Sequence, residues 1–201
     1  MPSRRTLVAT ILVLLVLAML MAAQPYLLPP TIALGPCGRD WTSPSSYLPR
    51  SSPTLSTELS LAGTDGKLCY GSPSARGRDV FGSLVPWGEL WRTGANEPTR
   101  LFLNAPLTLA GIELAAGRYS LYTIPGESRW QLFVSTSTYH WGNAISAEVR
   151  ERELGSAELV TETGTEVVEN LTFRWQPINA RTGALVLEWA DTRVAIPVAR
   201  P

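Results

Sequence analysis

Residues 117–135 read Gly117-Arg-Tyr-Ser-Leu-Tyr-Thr-Ile-Pro-Gly-Glu-Ser-Arg-Trp-Gln-Leu-Phe-Val-Ser135, and this stretch decides the fold. Two short runs, 119–124 and 130–134, flank Pro125-Gly126, a pair that favours a turn over either a helix or a continuing strand. The same grammar recurs outward in both directions. Leu59 and Leu61 alternate with Glu58 and Ser60, Asp65-Gly66 offers a hairpin turn, and Leu68 and Tyr70 follow. Leu101 and Leu103 alternate with Arg100 and Phe102, and residues 107–109 and 112–114 flank Ala110-Gly111. Late in the chain Leu171, Phe173 and Trp175 alternate, then Leu185, Leu187 and Trp189, then Val194 and Ile196, all read as core.

Turn signals at intervals of about 8–12 residues predict an all-β domain, an antiparallel β-sandwich of jelly-roll-like or barrel-like form, with nine or ten strands over residues 54–201. One helix is expected over residues 143–154, charged along 148–153 and closed by Gly155.

Residues 1–53 are different in kind. Arg4 and Arg5 precede an uncharged apolar run, residues 6–23. At about 1.5 Å per residue such a helix reaches about 27 Å, close to the thickness of a hydrocarbon core. Residues 1–23 therefore read as a transmembrane signal-anchor, with a cleaved signal peptide as the alternative. Either way the domain is expected outside the cytoplasmic membrane, held to it through residues 6–23 or released as a periplasmic or extracellular protein. Residues 24–53 hold seven prolines and several serines and read as a semi-extended spacer. In an oxidising compartment Cys37 and Cys69 can pair, closing a loop worth roughly 3 kcal/mol in the chain-entropy view.

Composition removes more functions than it suggests. The 201 residues hold 17 basic and 17 acidic side chains, so no field draws nucleic acid. One histidine and two cysteines cannot supply an ordinary four-ligand zinc site, and no metal or cofactor is expected. A Ser-His-Asp mechanism would have to use His140. Setting aside Arg4 and Arg5 leaves 15 basic against 17 acidic residues from residue 24 onward.

Residues 70–97 have no useful period and are dense in Gly, Pro, Arg and Trp, which marks a long structured loop. Arg76, Arg78 and Arg92 can clamp an anion through planar guanidinium forks. Trp87, Trp91 and Trp141 can offer a stacking surface for a sugar or aromatic ring, with Asn96, Glu97 and His140 nearby. The alternative for Arg92, Asn96 and Glu97 is architectural, with Arg92 paired to Glu97 or Asp79 beneath the loop. His140 can equally be a hydrogen-bonding turn residue, and Asn170-Leu171-Thr172 is a chance glycosylation sequon in a strand.

Four runs carry a resemblance. They are Gly-Arg-x-x-Phe-Gly at residues 77–82, Leu-Val-Pro-x-Gly-x-x-Trp-Arg-Thr-Gly-Ala-Asn-Glu at 84–97, Ala-Gly-x-Tyr-Ser-Leu-x-x-Ile-Pro-Gly at 116–126, and Trp141-Gly142. Over residues 53–198 the chain resembles the bacterial family called domain of unknown function 2911. Trp87 stands where that family often has tyrosine, and Ala75-Arg76 where lysine is frequent. The resemblance implies an exported, mainly β domain and no particular reaction.

Three functions are expected to compete. The first is a cell-envelope module binding a glycan or anionic group. The second is an envelope hydrolase using Glu97 or His140 as acid or base, with Glu89 and Glu97 as a possible carboxylate pair. The third is a scaffold or assembly protein that binds another envelope protein.

Overall fold

A computed structural model describes residues 10–17, 19, 37, 50–138, 140 and 142–201. Nine strands account for most of the described chain: β1 (Thr54–Leu61), β2 (Thr64–Gly71), β3 (Thr99–Leu103), β4 (Leu107–Leu109), β5 (Ile112–Leu114), β6 (Gly117–Ile124), β7 (Arg129–Ser135), β8 (Glu153–Pro177) and β9 (Thr182–Ala199). Every pairing between them is antiparallel, in the order β1-β2-β3-β6-β7-β8-β9-β4-β5, and the sheet does not close on itself.

The hairpin that opened the sequence reading forms as expected. β6 and β7 pair from Ser120 opposite Ser135 to Ile124 opposite Gln131, leaving Pro125-Gly126 in the connection. Period-two alternation puts Tyr119 and Leu121 with Trp130, Leu132 and Val134 in the main core. Tyr122 and Phe133 point to the opposite face, where Val149 of a one-turn helix (Ala147–Arg150) covers them.

Strand β8 makes two layers out of one sheet. Its first part, through Val160, pairs with β7; from Thr161 onward it pairs with β9. The register slips between Thr163 and Val168 and again before Thr172, so β8 carries surplus residues that bend it. The first layer is thus β1-β2-β3-β6-β7 with the start of β8, and the second is the rest of β8 with β9-β4-β5. Leu68, Leu101 and Leu132 of the first layer meet Leu185, Leu187 and Ile196 of the second, all essentially inaccessible. Tyr70 and Phe173 cross the gap edge to face, ring centroids 4.9 Å apart, and the Phe173 amide donates to the Tyr70 hydroxyl. This is the expected sandwich, joined through a shared strand.

Two local expectations fail for tertiary reasons. The β1–β2 turn is Ala62-Gly63, with φ of 50° and 86°, while Asp65 and Gly66 lie inside β2 opposite Ser60 and Leu59. Gly66 is needed for packing, because a Cβ there would sit 2.9 Å from Leu103 Cδ2. The helix expected over 143–154 is reduced to Ala147–Arg150. Glu153, Leu154 and Gly155 open β8 instead, and Gly155 lies close against Ile112.

At the N-terminus, residues 10–17 and 19 are helical and exposed, and the remainder of 6–23 lies outside the described residues. Among the described residues no helix is long and apolar enough to cross a membrane. Of the spacer, Cys37 and residues 50–53 are described, and both are fastened to the domain. Cys37 is bonded to Cys69 of β2, Cα to Cα 5.7 Å. Arg50 reaches the carboxylate of Glu97, the Asn96 amide donates to Ser52 O, and the Ser72 amide donates to Pro53 O.

Candidate functional site

The connection from β2 to β3, residues 72–98, folds over one end of the core and is pinned at both sides. On one side the amides of Ala75 and Leu171 donate to Glu169 O and Pro73 O, and the Arg76 amide donates to Glu169 Oε1 at 2.8 Å. The surplus residues of β8 therefore brace the arginine turn. On the other side Trp91 and Thr123 exchange two backbone hydrogen bonds of 2.8 Å, which joins the loop to β6. Between these anchors Phe81 plugs the core, its ring 5.0 Å from Trp130 and 5.8 Å from each of Trp87 and Trp189. Gly71 lets the 94–96 segment lie directly on β2, since a Cβ there would fall 1.9 Å from Ala95 O.

The fastened loop encloses a cleft of about 310 Å³. Its charged lining is Arg76, Arg78 and Arg92; its polar lining includes Ser51, Ser52, Ser74, Asn96 and Asn143; its floor includes Trp91 and Trp189. Five of the residues expected from sequence, Arg76, Arg78, Trp91, Arg92 and Asn96, are therefore brought together. Three residues around it, Arg76, Thr93 and Asn96, hold left-handed backbone with φ of 54° to 62°. Strained non-glycine backbone of this kind tends to gather where position matters.

Charge is the unusual property of this cleft. Among the described residues no carboxylate belongs to its lining. Arg78 donates from Nε to Ala75 O and from Nη2 to Ser74 O, both uncharged carbonyls. Arg92 Nη1 donates to Asn143 Oδ1 at 2.9 Å, and burial holds the Arg92 guanidinium below its usual pKa. Among the described residues none of the three arginines pairs with a carboxylate.

The other expected residues lie elsewhere. Glu97 is buried, pairs with Arg50 rather than Arg92, and is not part of the cleft lining. Trp87 stacks on Phe81, centroids 5.8 Å apart, outside the cleft. Trp141 lies outside the described residues. His140 lines a separate and wider cleft of about 670 Å³, together with Arg118, Arg152 and the side chains of 136–138. That cleft contains its own carboxylate, Glu148, whose pKa is lowered by a hydrogen bond from Ser146. Glu97 and His140 share no cleft among the described residues.

Trp91 and Trp189 stack on each other at 6.1 Å and are only 5% and 1% exposed, so their faces are used inside the core. The aromatic part of the expected site thus supplies a firm floor more than a stacking platform. Sequence reasoning missed Ser51, Ser52, Asn143, Trp189 and Glu169. Trp189 carried a core signal, which it also obeys, and the others carried none.

These features define an open, two-layered antiparallel β domain with an arginine-lined cleft at the end of its sandwich. The chain belongs to the family of proteins of unknown function designated DUF2911, whose family model matches residues 52–198. No curated protein and no solved structure matches it.

Proposed function

We propose that this protein is an exported, membrane-held binding module that captures an anionic group of the cell envelope in the Arg76/Arg78/Arg92 cleft. One observation carries the reading: three arginines line one concave site, and no carboxylate is among its described lining residues. Concentrating like charge without a counter-ion costs stability, and a bound anion would relieve that cost. The leader, with Arg4-Arg5 ahead of an apolar run, and the Cys37–Cys69 bond support a position outside the cytoplasm. Hydrophobic stacking of a glycan contributes little to this reading, because the tryptophan faces are already covered.

The test is equilibrium binding of phosphate, sulfate, glucuronate and neutral glucose to the full chain in detergent. At least one anion is expected to bind at millimolar concentration or tighter, and glucose is not. The double variant Arg76→Ala/Arg78→Ala should weaken that binding at least tenfold while its Tm stays within about 3 °C of the parent. Equal binding by the double variant, or no binding of any anion, would sink the proposal.

A further inference from the structure

This inference rests on the anionic reading of the cleft and names what carries the anion. The cleft adjoins an exposed apolar tip. Leu84, which lines the cleft with Arg76 and Arg78, is 41% exposed, Trp87 is 36% exposed, and Pro86 between them is exposed as well. The tip is held firmly. Val85 is buried and its amide donates to Val80 O, while the Gly88 amide donates to Pro125 O in the turn between β6 and β7, both at 2.8 Å. Trp87 stacks on Phe81, and a Cβ at Gly82 would sit 2.5 Å from Trp87 Nε1. An exposed tryptophan with an apolar body and one N–H suits the boundary between water and lipid.

The tether arrives at the same end of the sandwich. Gly71, the last residue of β2, accepts through its carbonyl from the amide of Ala95, which lines the cleft. Cys69 lies two residues earlier on β2, and its bond to Cys37 moors the preceding chain there. Cys37 comes fourteen residues after the apolar run 6–23. At about 3.5 Å per residue that length spans at most about 50 Å. With residues 6–23 in the membrane, the end of the domain tied closest to the bilayer is the end that carries the cleft and the tip. Arg76 and Arg78 are exposed there, and the exposed acids of the same loop, Asp79 and Glu89, are not in the cleft lining.

We infer that residues 84–88 and the Arg76/Arg78 side of the cleft dock on the surface of an anionic phospholipid bilayer, with Leu84 and Trp87 entering the interface and the arginines meeting lipid phosphates. Neither contribution suffices alone, since two side chains bury little apolar area and Asp79 and Glu89 dilute the charge. The tether raises the local concentration of the surface, so that a weak contact is enough.

The full chain reconstituted into vesicles tests this, the lipid being phosphatidylcholine alone or mixed with phosphatidylglycerol, brominated on the acyl chains in both cases. The share of lipid quenching owed to Trp87 is the difference between the parent and Trp87→Phe. That share is expected to be at least threefold larger in the anionic vesicles than in the neutral ones. Leu84→Asp, and separately Arg76→Ala/Arg78→Ala, should each lower it at least threefold. If Trp87→Phe does not fold, the loss of total tryptophan quenching in Leu84→Asp, altered at an exposed position, serves as the measure. Equal quenching in both kinds of vesicle, or quenching unchanged in the variants, would overturn the docking. Absence of Trp87 quenching while inorganic phosphate still binds the full chain in detergent would overturn the docking and leave the anionic reading standing. Absence of both would overturn both.

Discussion

Arginine does two opposite things in this molecule. Along the solvent face of β7, β8 and β9 it is spent across strands: Arg129 pairs with Glu158, Arg193 with Glu162, and Arg174 with Glu188. Glu162 lies directly opposite Arg193, whereas Arg129 reaches diagonally to Glu158, which sits opposite Gln131. These are exposed pairs of the kind that stabilise a sheet edge to edge by a few tenths of a kcal/mol. At the end of the sandwich Arg76, Arg78 and Arg92 have neutral oxygens or none among the described residues, while the acid five residues beyond Arg92, Glu97, is taken by Arg50. Residue type alone therefore says little; whether the charge is answered from within the fold separates a strand brace from a recognition group.

The comparison can be broken in four places. The largest effect is expected at the buried pair, because removing one member strands the other charge. Glu97→Ala should cost about 3–5 kcal/mol in urea unfolding, and Arg50→Met combined with Glu97→Leu should recover part of it. A double variant no better than the single would mean that the pair is not the source of the loss. Next is the Cys37–Cys69 bond, which closes 32 residues of chain. Its removal by Cys69→Ser should lower stability by about 3 kcal/mol, read from the same unfolding curves with the reduced parent as control. Third, Arg92→Ala should leave unfolding within about 1 kcal/mol of the parent yet weaken anion binding about tenfold, equivalent to about 1.4 kcal/mol. A large stability loss there would make Arg92 a structural residue. The smallest effect belongs to Arg129→Ala, expected below about 1 kcal/mol and shrinking further in high salt, with anion binding untouched.

Much of the fold was legible because hairpins are local. Residues 119–134 and 107–114 each carry alternation and a turn within twenty residues, and both form as read. Asp65-Gly66 misled because its glycine answers to Leu59 and Leu103, both of them in other strands. The charged run 148–153 misled because its upstream part is helical while its end is claimed by pairing with β7. The shared strand β8 was not legible, since nothing in its residues says which neighbour it leaves at Val160 and which it joins at Thr161. In the cleft, the three arginines announced themselves within seventeen residues of chain. Their surroundings did not: Asn143 lies 51 residues beyond Arg92, and Arg50 lies 47 before Glu97. Many acids and amides in the chain would have been equally acceptable partners on paper.

The clasp between Arg50 and Glu97 also redraws where the domain begins. Alternation starts at residue 54 and the family match at residue 52, so both place Arg50 outside. Electrostatically it is inside, since it is the counter-ion of a carboxylate buried among the family's own residues. A chain trimmed to the family boundary would keep every strand and yet lose the arginine that pairs with this buried acid. The shortest self-sufficient version of this protein therefore starts at or before Arg50, within what reads by composition as linker.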